Sequence, residues 1–392
     1  MERIGIYGGT FNPPHVGHIR AAQYAIEVLR LQKLLLVPAC VAPHKTLPEG
    51  SPTPQQRAQM LALAKGEGME VCDIELHRGG ASYTYETVEA LAVQYPDKEL
   101  VLLMGTDMFL SFYSWKETQR ILQKASIGVL YRGEAEELSQ IAYQKAQMEK
   151  LGIKVYLIDN PITAISSTQL RRLLVFQCAA AFISSQVESY IQENGLYGTK
   201  KNYHNLPPKE LEQVVVSLLK PNRVAHVLGC RDTAVALAKH YGADETNAAR
   251  AGLLHDVTKA LSGPLQLTLC EEYGIVLGDF SKENPKTLHA ITGSLVAERI
   301  FGENREVVAA IASHTTAKPN MTTLEKIIYI ADYIEPNRDF PGVEKLRELA
   351  YKDLDKALKL GLQMTLELLQ KNNQDISPAS AEALTFLENA GV

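Results

Sequence analysis

The sequence predicts an α/β doubly wound parallel sheet followed by an all-α domain. Three observations carry that expectation. Six short, apolar, β-rich runs alternate with helical stretches through residue 197, the pattern of a parallel sheet covered on both faces. Beyond a polar stretch at 198–208, which starts on Gly and ends on Pro, the apolar spacing is helical to the end of the chain. Finally, the first strand-to-helix turn carries two glycines and two histidines, where an open α/β sheet binds phosphate. The expected organisation is a domain at 1–197, a linker at 198–208 and a second domain at 209–392, in a chain of 392 residues.

Composition narrows the classes. Hydrophobic residues make 46% and charged residues 22%, ordinary for a globular protein. A net charge of −5 argues against a non-specific nucleic-acid or anionic-membrane binder. Cys40, Cys72, Cys178, Cys230 and Cys270 form no C-x-x-C pair, so neither a disulfide framework nor a cysteine zinc site is suggested. With a strand expected from residue 3 no signal peptide is expected, and no apolar run reaches spanning length. A reduced, cytoplasmic, soluble protein is expected, with a homo-oligomer left open.

The elements follow in order. Residues 3–7 read as a strand, Gly8 to His18 as a glycine-rich turn, and Ile19 to Leu31 as an amphipathic helix. Gly8 and Gly9 let backbone approach a ligand, Pro13 and Pro14 suit the entry to a first helical turn, and His15-x-x-His18 puts two imidazoles on one side. Strands are expected at 34–37, Val71 to Leu76, Leu100 to Met104, Ile127 to Tyr131 and Val155 to Ile158. Polar clusters fall at their carboxyl ends. After the second strand, a Pro-broken loop holds His44 and Lys45, whose ammonium suits a phosphate. A helix starts near Pro54 with Thr53 as its cap. Ser82 to Thr87 opens another helix, with Thr84 and Thr87 as hydroxyls for a small carboxylate or simply as caps. Gly105-Thr106-Asp107 pairs a glycine with a carboxylate, Trp115 is either core or a stacking platform, and Arg132 closes the fifth strand. Ile165-Ser166-Ser167-Thr168-Gln169-Leu170-Arg171 makes a second helix start aimed at an anion, or a plain Ser/Thr cap.

Together these stretches resemble a known family. GGTFNPPHVGH matches the nucleotidyltransferase signature G-x-F-D/N-P-x-H-x-G-H. With PACVAPHK, SYTYET, GTDMF plus Trp115, and ISSTQLR, it follows the order of bacterial nicotinate-nucleotide adenylyltransferases over about residues 1–197. The resemblance implies a Rossmann-like fold and transfer of AMP from ATP, with Mg²⁺, to nicotinate mononucleotide. It implies His15 and His18 on the ATP phosphates, supported by Lys45, Ser166, Ser167, Thr168 and Arg171. Gly8, Gly9, Thr10, Phe11, Gly105, Asp107 and Arg132 would line the nucleotide, Asp107 near the ribose. Trp115, Thr84 and Thr87 would meet the pyridine ring and its carboxylate. An adenylyltransferase for another acceptor, such as phosphopantetheine, is the rival.

The second half carries His226, His255-Asp256, His289, His314 and Asp332, each in a mostly apolar helical context. One such histidine is usually a satisfied core residue. Four histidines with two aspartates are hard to bury in one domain unless they share a metal. The ordered set resembles the HD-domain metal-dependent phosphohydrolases over about 209–392. Arg223-x-x-His226, HDVTK and ADYIEPNR look most like the branch that cleaves diadenosine tetraphosphate symmetrically to two ADP. That resemblance implies one metal on His226, His255, Asp256 and Asp332, and a second on His289 and His314 bridged by Asp256. Two iron or manganese ions suit such ligands. Lys259 and Arg338 are candidate phosphate contacts or solvated charges. A hydrolase of cyclic or guanosine polyphosphate nucleotides, or a regulatory nucleotide sensor, is the alternative.

Overall fold

In the computed structural model every residue is described except 1, 44, 45, 132–134, 161, 162 and 164. The chain divides into two compact units, 1–201 and 202–392.

In the first unit β1 (Arg3–Gly9), β2 (Leu31–Pro38), β3 (Met69–Val71), β4 (Glu99–Gly105), β5 (Ala125–Tyr131) and β6 (Val155–Asp159) form a single parallel sheet, ordered β3-β2-β1-β4-β5-β6. Successive side chains of a strand point to opposite faces, and both faces here are apolar. Ile4, Ile6, Leu35, Val37, Leu100, Leu102, Ile127 and Val129 pack on one side. Leu34, Leu36, Val101, Leu103 and Leu130 pack on the other, against Ala22, Ala25 and Leu29. Each fully buried aliphatic side chain contributes roughly 1.5–3 kcal/mol, which is why these runs are apolar throughout rather than alternating.

The flanking helices are α1 (Val16–Leu29), α2 (Pro54–Ala64), α3 (Ile74–Arg78), α4 (Thr84–Gln94), α5 (Thr106–Leu110), α6 (Thr118–Leu122), α7 (Ala135–Lys150), α8 (Ser167–Val175) and α9 (Ser185–Glu193). Thr53 caps α2 in a reciprocal box with Gln56, as its sequence suggests. Strand order reverses between β1 and β4, so the crevice at their carboxyl ends is where such a sheet takes a ligand.

Three sequence expectations need correction. The third strand ends at Val71, and residues 74–76 open α3 instead. Val71 to Leu76 alternates apolar and polar like a strand, but Asp73 stands at the N-terminal end of a helix. In addition, α1 begins at Val16 with His15 as its N-cap, so Pro13 and Pro14 precede the helix rather than entering its first turn. Leu31 starts β2 and does not end α1.

The second unit is helical, with no strand among its residues. It contains α10 (Pro208–Leu218), α11 (Val224–Tyr241), α12 (Glu245–Leu254), α13 (Gly263–Glu272), α14 (Asp279–Glu283), α15 (Leu288–Arg299), α16 (Arg305–Ser313), α17 (Thr323–Ile334), α18 (Val343–Ala350), α19 (Leu354–Lys371) and α20 (Pro378–Asn389). Asp244, Asn304 and Thr322 cap α12, α16 and α17 through bonds to backbone N–H groups. Arg250 grips Glu303 with two bonds of 2.7 Å, fixing α12 to the start of α16. The stretch expected as linker is not loose throughout. Tyr203 and Leu206 are buried and the Asn205 N–H donates to the Phe301 carbonyl at 3.0 Å. Among the described residues no helix is long and apolar enough to cross a membrane.

Candidate active sites

At the β1–β4 crevice the chain leaves space. A Cβ at Gly8 or Gly105 would meet nothing within 4 Å. The loop that follows β1 is held from behind. The Arg57 guanidinium donates to the carbonyls of Thr10 (2.7 Å), Ala39 (2.7 Å) and Cys40 (3.1 Å). Arg171 donates to the Asn12 carbonyl at 2.7 Å and to the Thr168 hydroxyl, and the Ser167 hydroxyl donates to the Pro13 carbonyl at 2.9 Å. The Tyr197 hydroxyl closes the loop onto Asn12 Oδ1 at 2.7 Å. The starts of α1 and α8 are therefore tied together at one place, and two helix N-termini attract anion there.

His15 and His18 lie at the first of these starts. Their rings stack with centroids 3.6 Å apart, and the His15 N–H donates to His18 Nδ1 at 3.2 Å. Gly17 permits this, since a Cβ there would stand 3.0 Å from the His15 ring. Burial lowers the pKa of Arg57 and of Arg171 from the ordinary guanidinium value. Among the described residues both are bonded to carbonyls and hydroxyls rather than to a carboxylate. Buried positive charge answered only by dipoles leaves a field suited to a polyanion.

Other sequence candidates fall differently. Asp107 is exposed in the first turn of α5, beside the crevice. Trp115 is half-buried and packs on Phe112 at 5.4 Å between centroids. Thr84 is half-buried at the start of α4. Thr87 is buried, and its hydroxyl donates to Glu75 Oε1 at 2.6 Å, so it is already engaged inside the fold. The Ser166 hydroxyl caps α8 by accepting from the Gln169 N–H at 3.2 Å. Thr10 and Phe11 lie on the held loop, Phe11 buried edge-on to His18. Lys45 and Arg132 lie outside the described residues.

The second unit brings all six sequence candidates together. Asp256 Oδ2 lies 3.7 Å from His226 Nε2 and 3.6 Å from His255 Nε2, while Oδ1 lies 3.3 Å from His289 Nε2 and 3.9 Å from His314 Nε2. Asp332 Oδ1 is 3.2 Å from His226 Nε2. One carboxylate thus faces two imidazole pairs, one of them joined by a second carboxylate.

The imidazole hydrogens can be assigned from their partners. Nδ1 of His255, His289 and His314 faces the carbonyl three residues earlier: Gly252 at 2.8 Å, Lys286 at 2.7 Å and Ile311 at 2.6 Å. A carbonyl only accepts, so each Nδ1 carries the proton. His226 Nδ1 meets Glu335 Oε1 at 3.1 Å in the same way. Burial, reinforced by neighbouring imidazoles, lowers the pKa of His255 to about 3 and lowers those of His289 and His314 as well. Protonated on Nδ1, the neutral rings of His289 and His314 turn Nε2 lone pairs toward one another at 3.2 Å, while His255 Nε2 lies 3.3 Å from the Nε2 of His226, which also faces Asp332 Oδ1. Facing lone pairs repel unless a cation lies between them, so the donor set fits metal. His226, His255 and Asp332, and likewise His255, Asp256 and His314, each offer ligand atoms within 4.8 Å of one another.

Cations surround the cluster. Arg223 pairs with Asp256 Oδ2, and Arg338 donates to Asp332 Oδ1 at 2.6 Å. Burial would raise the Asp332 pKa, but the His226 hydrogen bond, His255 and Arg338 hold it well below the carboxylate range. The Lys259 ammonium lies 2.9 Å from His289 Nε2 and is no solvated surface charge; burial takes its pKa down to about 8.

Sequence reasoning missed Arg57 and Glu335. Arg57 shares the buried face of α2 with Met60 and Leu61, so a basic residue at i, i+3, i+4 spacing from apolar ones was the available signal. Glu335 is buried and also accepts from the backbone N–H of Asn337 at 2.7 Å.

Known proteins align with each unit. A family profile for cytidylyltransferase-like proteins matches residues 6–173, and one for HD domains matches residues 223–337. The chain is 36% identical over 198 residues to a probable nicotinate-nucleotide adenylyltransferase of Dictyoglomus thermophilum, spanning 50% of this chain and 99% of that protein. It is 43% identical over 167 residues to a symmetrical bis(5'-nucleosyl)-tetraphosphatase of Halalkalibacterium halodurans, spanning 42% of this chain and 89% of that protein. A crystal structure of a predicted HD superfamily hydrolase involved in NAD metabolism, from Clostridium acetobutylicum, is 38% identical and covers 47% of this chain and 98% of its own, with a TM-score of 0.46.

Proposed function

From the premise that the chain belongs to the cytidylyltransferase-like nicotinate-nucleotide adenylyltransferases in its first half and to the HD family in its second, we propose a two-site enzyme. The first site transfers AMP from ATP to nicotinate mononucleotide, giving deamido-NAD and pyrophosphate. The second hydrolyses diadenosine tetraphosphate to two ADP.

The tied helix starts carry the first half of this reading, through Ser167 on Pro13 and Arg171 on Asn12. The mononucleotide phosphate attacks the α-phosphorus of ATP in line, and no covalent enzyme intermediate is required. Catalysis is then alignment and charge neutralisation. His15 and His18 hold the ATP phosphates at the start of α1, and the α8 start faces the same charge. Arg57 and Arg171 keep the loop shaped and the field positive. Lys45 is assigned to the same phosphates from its motif. Mg²⁺ bound with ATP would screen its phosphates. Asp107 takes the ribose, and Trp115 with Thr84 takes the pyridine ring.

The Asp256 carboxylate between two imidazole pairs carries the second half. His226, His255, Asp256 and Asp332 would hold one metal ion, and His289 and His314, with Asp256 shared, another; iron or manganese suits this donor set. A metal held there would supply hydroxide at neutral pH and Lewis acidity at the phosphate. Glu335 and the three backbone carbonyls orient the imidazoles. Lys259 and Arg338 neutralise phosphate oxygens and the leaving group. Five free cysteines suit the reducing cytoplasm.

An acceptor panel with ATP and a polyphosphate panel with iron or manganese, read by HPLC, test both halves. Activity with phosphopantetheine but not nicotinate mononucleotide would overturn the first. Hydrolysis of guanosine polyphosphates or cyclic nucleotides in place of diadenosine tetraphosphate would overturn the second.

A further inference from the structure

A cleft of about 540 Å³ opens beside Asp332, between the end of α17, the turn that follows and α19. Its walls are mixed, apolar side chains beside Glu367 and Lys371 of α19. Tyr333 and Phe340 meet there edge to face, centroids 5.5 Å apart, with Met364 and Leu368 facing them from α19. The Tyr333 hydroxyl is bonded to the Thr365 hydroxyl at 2.7 Å, so the ring is held in place. Leu368 is 55% exposed at this rim, an apolar side chain left in water. Arg338 stands at the junction, its guanidinium on Asp332 Oδ1.

We propose that this cleft receives the purine base and ribose of the nucleotide whose phosphates lie at the Asp256 cluster. The inference rests on the hydrolase reading above and names the part of its substrate that the cluster does not reach. Asp332 lines both the cluster and the cleft, so a molecule seated in one reaches the other. Volumes of roughly 300–1,000 Å³ suit small molecules, which fits a nucleoside and is too little for a folded partner. Aromatic rings beside a soft thioether suit a flat heterocycle, and a guanidinium at the inner end suits the first phosphate. Asp332 and Tyr333, adjacent on α17, thus divide the work between phosphate and base.

The test uses the full chain loaded with iron or manganese, and the variants Phe340→Ala and Leu368→Ser, neither in the cluster. Loss of a stacking or apolar contact to a base is expected to raise KM for diadenosine tetraphosphate about tenfold, with kcat kept and inhibition by inorganic pyrophosphate unmoved. Photolabelling with 8-azido-ADP is a second readout, independent of turnover. Label is expected on peptides spanning 333–340 or 364–371, protected by adenosine and not by pyrophosphate. An unchanged KM, or equal weakening toward pyrophosphate, overturns the subsite, as does absence of label from both peptides. If the intact chain cleaves no dinucleoside polyphosphate at all, the hydrolase reading fails instead, and the label alone decides the cleft.

Discussion

Glu335 holds His226: its Oε1 lies 3.1 Å from the imidazole Nδ1, with the carboxylate buried behind the ring. An acceptor in this position fixes both the tautomer and the ring plane of a metal ligand. Glu335→Ala is therefore expected to lower metal affinity about 10–100-fold while leaving the six cluster residues in place. Gly229→Ala should act in the same direction, because its Cβ would stand 2.6 Å from Glu335 Oε2. Metal titration followed by elemental analysis measures both. Undiminished affinity in Glu335→Ala would remove that carboxylate from the site's support.

Arg57 is expected to matter through the loop it holds. Replacing it with Met leaves the carbonyls of Thr10, Ala39 and Cys40 without this donor. At roughly 1.5–3 kcal/mol for a hydrogen bond from a charged donor, reduced where the carbonyl is half-buried, the first unit should lose about 3 kcal/mol. The KM for ATP should rise as the phosphate loop loosens. The chain has one tryptophan, Trp115, so fluorescence follows unfolding of the first unit alone. A variant as stable as the parent would contradict this role.

Thr87 separates two accounts of one residue. Resemblance assigns it to the pyridine carboxylate, yet its hydroxyl donates to Glu75 at 2.6 Å. Thr87→Val should cost roughly 1–3 kcal/mol of stability by leaving that carboxylate short of a donor, with KM for nicotinate mononucleotide nearly unchanged. A raised KM at full stability would restore the substrate contact.

Acid should destabilise the second unit once metal is removed. An imidazole whose folded pKa is depressed is protonated first in the unfolded chain. Its contribution is complete above the ordinary value of 6.5 and is lost as pH falls toward the folded value. For His255 that window runs from 6.5 down to about 3, and His289 and His314 shift in the same direction. Asp332, held well below 3.8, adds its loss only at more acid pH. Each imidazole removes up to about 1.4 kcal/mol per pH unit. Urea unfolding of chelated protein, followed by circular dichroism, should show the midpoint falling between pH 6.5 and about 4.5. A flat midpoint would mean that these rings are already charged or already exposed.

Much of this was legible because burial and chemistry leave marks on sequence. Strands covered on both faces must be apolar at every position, so β1, β2, β4, β5 and β6 stood out. Four histidines in apolar helical surroundings also pointed to one another. The third strand misled because Val71 to Leu76 has the period of a strand, whereas Ile74–Arg78 coils into α3. Glu335 lies in the motif ADYIEPNR, but its role on His226 exists only once α17 packs on α11. Arg57 left one faint mark, its helical spacing from Met60 and Leu61; its carbonyl partners leave none.

Product analysis of two variants tests most directly whether one chain holds two separate sites. Asp256→Ala and His18→Ala would each be given ATP with nicotinate mononucleotide, and separately diadenosine tetraphosphate with iron or manganese. Asp256→Ala is expected to form deamido-NAD at the parent rate and to lose hydrolysis by two orders of magnitude or more; His18→Ala is expected to lose roughly a hundredfold in adenylyl transfer and keep hydrolysis. Full hydrolysis by Asp256→Ala, or loss of both reactions in either variant, would contradict two separate sites.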